Sequence, residues 1–274
     1  MKISAARLSL KASALALAAL LPLAAHAHRL WLLPSATVLS GNDPWVTVDA
    51  AVSNDLFYFD HFPLKLDGLA VTAPDGTAAK PENESTGRYR SVFDVHLTQD
   101  GTYRIAIDNR AVFASYTLNG EKKRWRGNVD ALAQALPANA QDVDVTETDM
   151  RVESFVTRGK PSTAALKPSG HGLELAPLTH PNDLVAGTDA GFRLLIDGKP
   201  ASNVKVSVVP GGSRYRDQPG DTTLTTDADG KFNVKWPNPG MYYLEAEVRD
   251  DHTSIKQAKN RRAAYAATLE VLPQ

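Results

Sequence analysis

Cysteine is absent from the 274-residue sequence. This absence excludes disulfide bonds, zinc sites built from thiolates and cysteine nucleophiles. An exported protein without disulfides depends on its hydrophobic core, and a chain of this length can bury one or two cores. Any metal chemistry is therefore left to His, Asp, Glu and a free amino terminus.

The sequence also lacks an excess of basic residues, with 30 Lys and Arg against 31 Asp and Glu. We therefore expect no nucleic-acid partner, because such proteins carry basic patches. No G-x-S-x-G, G-x-x-x-x-G-K-[ST] or H-E-x-x-H motif is present, and no G-x-G-x-x-G follows a predicted strand. These absences predict that the protein is not an enzyme.

The first 27 residues have the three parts of a secretory signal peptide. Basic Lys2, Arg7 and Lys11 precede the apolar run 12–25, and Ala25 and Ala27 occupy the −3 and −1 positions of an A-x-A cleavage site. The run is shorter than the roughly 20 residues of a membrane span, and no later run approaches that length. We expect export to the periplasm and a mature chain, residues 28–274, with no membrane span and a formal charge of −4, from 27 basic and 31 acidic residues.

Cleavage after Ala27 leaves His28 as the first residue of the mature chain. An N-terminal His is chemically special, because its free α-amine and its Nδ1 atom can close one chelate ring on a metal ion. The alternative is that His28 follows the cleavage site by chance.

Six histidines remain after cleavage, and none forms an H-x₃-H pair. Imidazole is a common ligand of zinc, copper and nickel. His61 lies in an aromatic loop, and His171 and His180 flank the strand Leu173–Leu175 at the predicted domain junction, where ligands often bind. The predicted metal ligands are therefore His28, His61, His171 and His180, ahead of His96 and His252. The alternative for each is an ordinary hydrogen-bonded or exposed histidine.

Alternating apolar residues and closely spaced turns predict an all-β fold of two β-sandwiches in tandem, with an immunoglobulin-like or Greek-key arrangement. The predicted domains are residues 28–160 and 184–274, joined by a linker or crossing segment over residues 161–183. Asn119-Gly120 predicts a hairpin turn. One short helix is expected within residues 127–141, capped by Asn128.

Four arginines in the second half, Arg214, Arg216, Arg261 and Arg262, have two interpretations. They either bind an anion or hydrate an exposed surface, and the surface interpretation is favoured.

Ordered segments throughout the mature chain resemble a bacterial family of domains of unknown function numbered 4198. They are the run A-H-A-H-x-x-W-L-x-P from Ala25 to Pro34, Ser53–Phe57, Asp60–Leu64, Phe155–Gly159, Gly172–Leu184, Asp197–Pro200 and Tyr265–Leu272. Members are often described as periplasmic proteins associated with nickel uptake. The resemblance therefore implies a periplasmic protein that handles a transition metal, with His28 matching the histidine that follows the family's signal peptide.

Three functions remain open on this basis. The first is a periplasmic protein for uptake or delivery of nickel, or of cobalt or copper, with a membrane metal transporter as a possible partner. The second is a structural or adhesion module that binds no metal. The third is a copper enzyme with a histidine brace, a copper site formed by an N-terminal His and a second His.

Overall fold

The computed structural model describes residues 28–274, and the predicted signal peptide lies outside the described residues. Within them, nineteen strands form three sheets. The strands are β1 (Arg29–Pro34), β2 (Val38–Leu39), β3 (Trp45–Ser53), β4 (Phe62–Pro63), β5 (Leu69–Thr72), β6 (Ala78–Ala79), β7 (Glu82–Thr86), β8 (Ser91–His96), β9 (Gly101–Leu118), β10 (Glu121–Gly127), β11 (Gln141–Arg158), β12 (Leu173–Pro177), β13 (Asp189–Ile196), β14 (Lys199–Pro200), β15 (Lys205–Pro210), β16 (Thr222–Thr225), β17 (Lys231–Lys235), β18 (Gly240–Asp250) and β19 (Asn260–Val271).

The sheets form three layers. The first outer sheet has the order β1-β3-β8-β7, with β4 beside β3. The central sheet has the order β16-β15-β18-β19-β11-β9-β5-β6, with β10 beside β9 and β2 beside β11. The second outer sheet joins β12, β13 and β14, with β17 beside β13.

The two outer sheets cover opposite faces of the central sheet. Side chains alternate between faces along a strand, so neighbouring residues of a central strand contact different outer sheets. On β11, Val152 and Val156 pack with the first outer sheet, whereas Phe155 packs with the second. On β19, Ala266 joins the first of these cores and its neighbour Tyr265 the second. The two β-sandwiches therefore share one sheet.

The middle of the central sheet is formed by β11 and β19, which pair in parallel from Thr146↔Asn260 to Ser154↔Thr268. Residues 263–269 of β19 are all buried, because both faces of this strand are covered. Parallel strands buried on both faces carry continuous apolar runs, which explains the sequence Ala263–Ala267.

Strands β9 and β11 are each 18 residues long and extend beyond the first outer sheet. Their extension continues into β10 through the Asn119-Gly120 turn, where both residues have positive φ angles (52° and 81°). Helix α1 (Val129–Ala135) follows, and the side chain of Asn128 caps it by accepting from the Ala131 N–H at 2.9 Å. A small third core under α1 covers one face of the extension.

The all-β prediction is confirmed, as are the hairpin turn and the single helix predicted for residues 127–141. Within the predicted linker or crossing segment, residues 161–183, lies β12, an edge strand that pairs with β13. No helix in residues 28–274 is both long enough and apolar enough to cross a membrane.

Candidate metal centre

The imidazole rings of His28 and His61 are stacked, with centroids 3.9 Å apart and planes at 16°. The strand register explains this contact. Both β1 and β4 pair antiparallel with β3, so they begin at the same end of it. His28 immediately precedes β1 and His61 immediately precedes β4, and the two rings therefore meet at one corner of the first outer sheet.

The loop 54–61, which carries His61, is held by hydrogen bonds through the buried hydroxyl of Ser53. Trp31 donates from Nε1 to the hydroxyl of Ser53 at 2.8 Å, and that hydroxyl donates to the carbonyl of Asp55 at 2.6 Å. Phe57 and Phe59 pack against the Trp31 ring, with centroids 5.6 and 5.4 Å from it. Fixing the loop in this way fixes the position of His61.

The pair is accessible to solvent. His28 is exposed, His61 is half-buried, and the Phe62 ring beside them is 46% exposed, with its centroid 4.4 Å from that of His61. Residues 28–274 contain no group of three or more His, Cys, Asp or Glu side chains that could hold a metal ion. At this corner the described residues supply two imidazole rings, and the α-amine of a chain cleaved before His28 would add a third nitrogen.

The structure places His171 away from this pair. Its Nε2 atom lies 2.8 Å from a carboxylate oxygen of Asp149. Asp149 belongs to the face of β11 that points away from the first outer sheet, as the alternation with Met150 shows. The contact therefore ties the segment before β12 to the central sheet.

The ring of His180 is occupied by hydrogen bonds on both nitrogens. Nδ1 accepts from the Asn182 N–H at 3.1 Å, so the ring carries its hydrogen on Nε2 when both nitrogens are hydrogen-bonded. Nε2 lies 3.0 Å from the Thr102 hydroxyl and 3.1 Å from the Ser162 carbonyl. In this arrangement the ring has no free lone pair for a metal.

The other two histidines also lie apart from the pair. His96 stacks on Trp45 with centroids 4.2 Å apart and contacts Asp43. His252 is exposed in a loop. Of the four predicted ligands, the structure brings together only His28 and His61.

A cleft of about 700 Å³ adjoins His28. Its floor is the face of β9 and β11 that extends beyond the first outer sheet. The floor residues alternate along the two strands, and the register pairs Phe113 with Thr146 and Asn109 with Met150. These side chains are half-buried, whereas Val112, Ala114 and Val145 on the other face are buried under the third core.

Basic side chains line the walls of the cleft on opposite sides. Lys65 lies on the wall formed by the first outer sheet, Arg126 on β10, Arg249 on β18 and Arg262 on β19. Two acidic residues also line it: Asp144, on the cleft face of β11, and Asp149, whose carboxylate turns to the opposite face toward His171. No sequence pattern indicates this cleft, because the cleft forms where one sheet ends before its neighbour does.

The four arginines singled out in the sequence have different environments. Arg261 is buried and paired with Asp197 and Asp250 at 2.7 Å each. Arg216 donates to backbone carbonyls, and Arg214 lies over the Tyr58 ring, 3.8 Å from its centroid. Arg262 alone of the four lines the cleft.

Arg262 and Arg249 both bind Glu247. Their Nε atoms lie 2.6 and 2.7 Å from its carboxylate oxygens. Burial by itself would raise the pKa of Glu247, but the two guanidinium groups lower that pKa below its ordinary value. Glu247 is therefore an anion at neutral pH, and one positive charge of the two arginines remains unbalanced.

Comparison with known proteins gives one match to a family. The family model described as "Domain of unknown function (DUF4198)" matches residues 25–250. No curated protein matches the sequence significantly.

Three solved structures show a remote likeness to this chain. The D0-D1 domain of intimin is 12% identical with a TM-score of 0.23, and the match covers 88% of this chain and 97% of that one. A DUF3823 family protein from Bacteroides uniformis is 11% identical with a TM-score of 0.24, covering 78% and 92%. The ICAM-5 D1-D4 ectodomain fragment is 11% identical with a TM-score of 0.21, covering 89% and 51%. TM-scores this low carry no argument about function.

Proposed function

This chain belongs to the DUF4198 family, and from that premise we propose that it is a periplasmic protein that binds one transition metal ion through His28 and His61. The observation that supports the proposal is the proximity of these two rings, whose centroids lie 3.9 Å apart at an exposed corner. The exposed His28 ring turns out of the stack when both rings direct a nitrogen lone pair at one ion. Two histidines distant in sequence are brought together there, next to the predicted signal-peptide cleavage site.

The donor set follows from the chemistry of an N-terminal histidine. In the processed chain, His28 supplies its α-amine and Nδ1, and His61 supplies a third nitrogen. Three nitrogen donors from two residues form a site without a cluster of three side chains. Nitrogen ligands suit nickel, copper and cobalt, with copper binding most tightly to a given set.

Nickel is the proposed metal, since the family resemblance implies nickel uptake, and copper and cobalt are the alternatives. An exposed ligand such as His28 favours transfer of the metal to a partner, because the ion can be released without opening a core. The proposed role is therefore non-catalytic delivery or uptake, with a membrane metal transporter as the receiving partner.

The histidine brace of copper enzymes uses the same donors, so metal preference and activity must be measured separately. Peroxide-driven oxidation of a polysaccharide by the copper-loaded protein would replace the transport proposal with an oxidative enzyme. A chain that binds no metal would leave the structural module as the function.

The test is isothermal titration of the protein beginning at His28 with nickel, copper, cobalt and zinc at neutral pH. We expect one ion per chain, and at least about tenfold weaker binding in His28→Ala and in His61→Ala. His96→Ala is the matched control, because its ring is also stacked on the first outer sheet but lies elsewhere. Equal affinities in all three variants, or no binding by the parent, would overturn the proposal.

A further inference from the structure

We propose that the cleft beside His28 binds a small organic dianion that has an apolar body, such as an aromatic dicarboxylate. The volume of about 700 Å³ is within the range of small-molecule sites, which is about 300 to 1,000 Å³. This binding concerns the cleft and its own charges, and it does not require that a metal be bound.

The floor of the cleft favours an apolar ligand body. Phe113 and Met150 present apolar surface on adjacent strands, and Thr146 and Thr148 also line the cleft on β11, where the Thr148 hydroxyl donates to the Ala111 carbonyl at 3.0 Å. A sheet face with its opposite side covered is a rigid surface, so a flat ring can pack on it without reorganising the floor.

The charges on the walls favour two anionic groups at separate ends of the ligand. Arg262 on β19 and Arg126 on β10 are separated by β11 and β9. Three strand spacings of about 4.8 Å place their backbones about 14 Å apart, with the floor between them. Long side chains from the two sides can therefore each meet one carboxylate of a ligand lying across the floor.

The positive charges of these side chains are not fully balanced by neighbouring carboxylates. Arg126 contacts only a neutral acceptor, the Asn109 amide oxygen at 3.4 Å, and within residues 28–274 no carboxylate lies within 4 Å of Arg126 or Lys65. Arg249 and Arg262 share one carboxylate, that of Glu247. Of the two acidic residues that line the cleft, Asp149 contacts His171 on the opposite face of β11. Asp144 is therefore the one lining carboxylate among the described residues that remains on the cleft side. The cleft is thus locally positive in a mature chain of negative formal charge.

The experiment titrates metal-free protein beginning at His28 with isophthalate, and with benzoate as the monoanionic comparison. We expect isophthalate to bind about tenfold more tightly than benzoate, since benzoate can engage only one side of the cleft. Amide chemical-shift changes on adding isophthalate are expected along residues 109–115 and 144–150.

Matched variants locate the site. Arg126→Gln and Arg262→Gln are each expected to weaken isophthalate binding about five- to tenfold. Lys123→Gln removes one charge from the opposite face of the same strand β10 and is expected to leave the affinity unchanged. His61→Ala is also expected to leave it unchanged, so loss of the metal site and loss of the anion site can be told apart.

Absence of isophthalate binding at low salt would overturn the inference. Equal weakening by Lys123→Gln and Arg126→Gln would do so as well, because it would indicate only general attraction to a basic strand. Shift changes outside the cleft would place the anion elsewhere and have the same consequence.

Discussion

His28 stacks on His61 although 33 positions separate them in the sequence. The contact arises because two strands begin together at one end of β3, and neither strand alone holds both residues. If the mature chain begins at His28, its free amine lies in the same corner as two imidazole rings.

Adding one methionine before His28 tests the role of this amine. The extension converts the amine into a peptide nitrogen, which opens the proposed chelate ring while both imidazoles remain. We expect metal affinity to fall at least about tenfold by isothermal titration. A methionine added after Gln274 is the control, and undiminished affinity in the N-terminal variant would show that the amine is not a ligand.

Acidification of the same protein is expected to weaken metal binding, because an α-amine has a pKa of about 8 and its proton competes with the metal. Affinity should fall progressively as the pH is lowered below neutral. Titrations at a series of pH values, with the methionine-extended variant alongside, measure this effect. A parent and an extended variant with the same pH dependence would contradict it.

Ser53→Ala tests whether the loop 54–61 positions His61. The change leaves the buried Trp31 N–H without its acceptor and frees the carbonyl of Asp55, so we expect a loss of about 1–3 kcal/mol in the free energy of unfolding. Metal affinity should also fall several-fold, because the ligand loop is less fixed.

Ser91→Ala is the control for this variant, since Ser91 is a buried serine of the same sheet whose hydroxyl contacts Thr86 instead. Urea unfolding and metal titration of both variants give the comparison. Equal losses of metal affinity in the two variants would indicate that general destabilisation causes the loss, and that Ser53 does not position His61 specifically.

Local sequence patterns were sufficient for many elements of the fold. Alternation identifies β3, where Val46, Val48 and Ala50 are buried. The Asn-Gly pair identifies the turn after β9, and Asn128 identifies the start of α1. Each of these features depends on residues within a few positions of one another, which is the range over which propensity and capping act.

The arrangement of the sheets cannot be predicted from such local patterns. Pairing of β11 with β19 joins residues 114 positions apart, such as Ser154 and Thr268, and no local signal records it. Residues 101–118 form one strand, although the polar stretch Asp108–Arg110 resembles a break. That stretch stays extended because β11 pairs with it on one side.

The site was predictable in part. Processing chemistry pointed to His28, and the aromatic loop pointed to His61, but their contact depends on register. The sequence distinguishes His171 and His180 by their place at the predicted domain junction, and the structure gives each of them protein partners. The cleft depends on where the first outer sheet ends relative to the central one, which requires the packed structure.

His180→Leu is expected to lower the free energy of unfolding by about 2–3 kcal/mol, because the Asn182 N–H and the Ser162 carbonyl lose a buried partner. Metal affinity should stay at the parent's value, since this ring is distant from His28. Denaturant unfolding and titration of the folded variant measure the two quantities. A folded variant that no longer binds metal would instead make His180 a ligand.

Glu174→Gln tests a buried ion pair between the second outer sheet and the central sheet. Glu174 contacts Arg151 and accepts from the Ser169 and Gly170 backbone N–H groups at 2.7 and 2.8 Å. Removing this charge leaves less negative charge to balance the buried Arg151 guanidinium. We therefore expect the free energy of unfolding, measured in urea, to fall by about 3 kcal/mol. Glu121→Gln, at an exposed carboxylate, should change stability little.

The same carboxylate predicts a dependence of stability on acid. Burial would raise the pKa of Glu174, but the Ser169 donors and Arg151 lower it below its ordinary value of about 4.3. The unfolded state then binds more protons in acid, so this stabilisation is complete above the ordinary value and is lost as the pH falls through the lowered one. The stability difference between parent and Glu174→Gln should therefore shrink toward low pH, and a constant difference would contradict it.

Strand β19 lies in the middle of the central sheet, although it is the last strand along the described chain. Its residues contribute to both large cores, through Ala266 on one face and Tyr265 on the other. Neither large core is therefore complete until β19 has joined the central sheet. Folding of the described chain thus depends on pairing between strands more than 100 residues apart, and such non-local pairing slows folding.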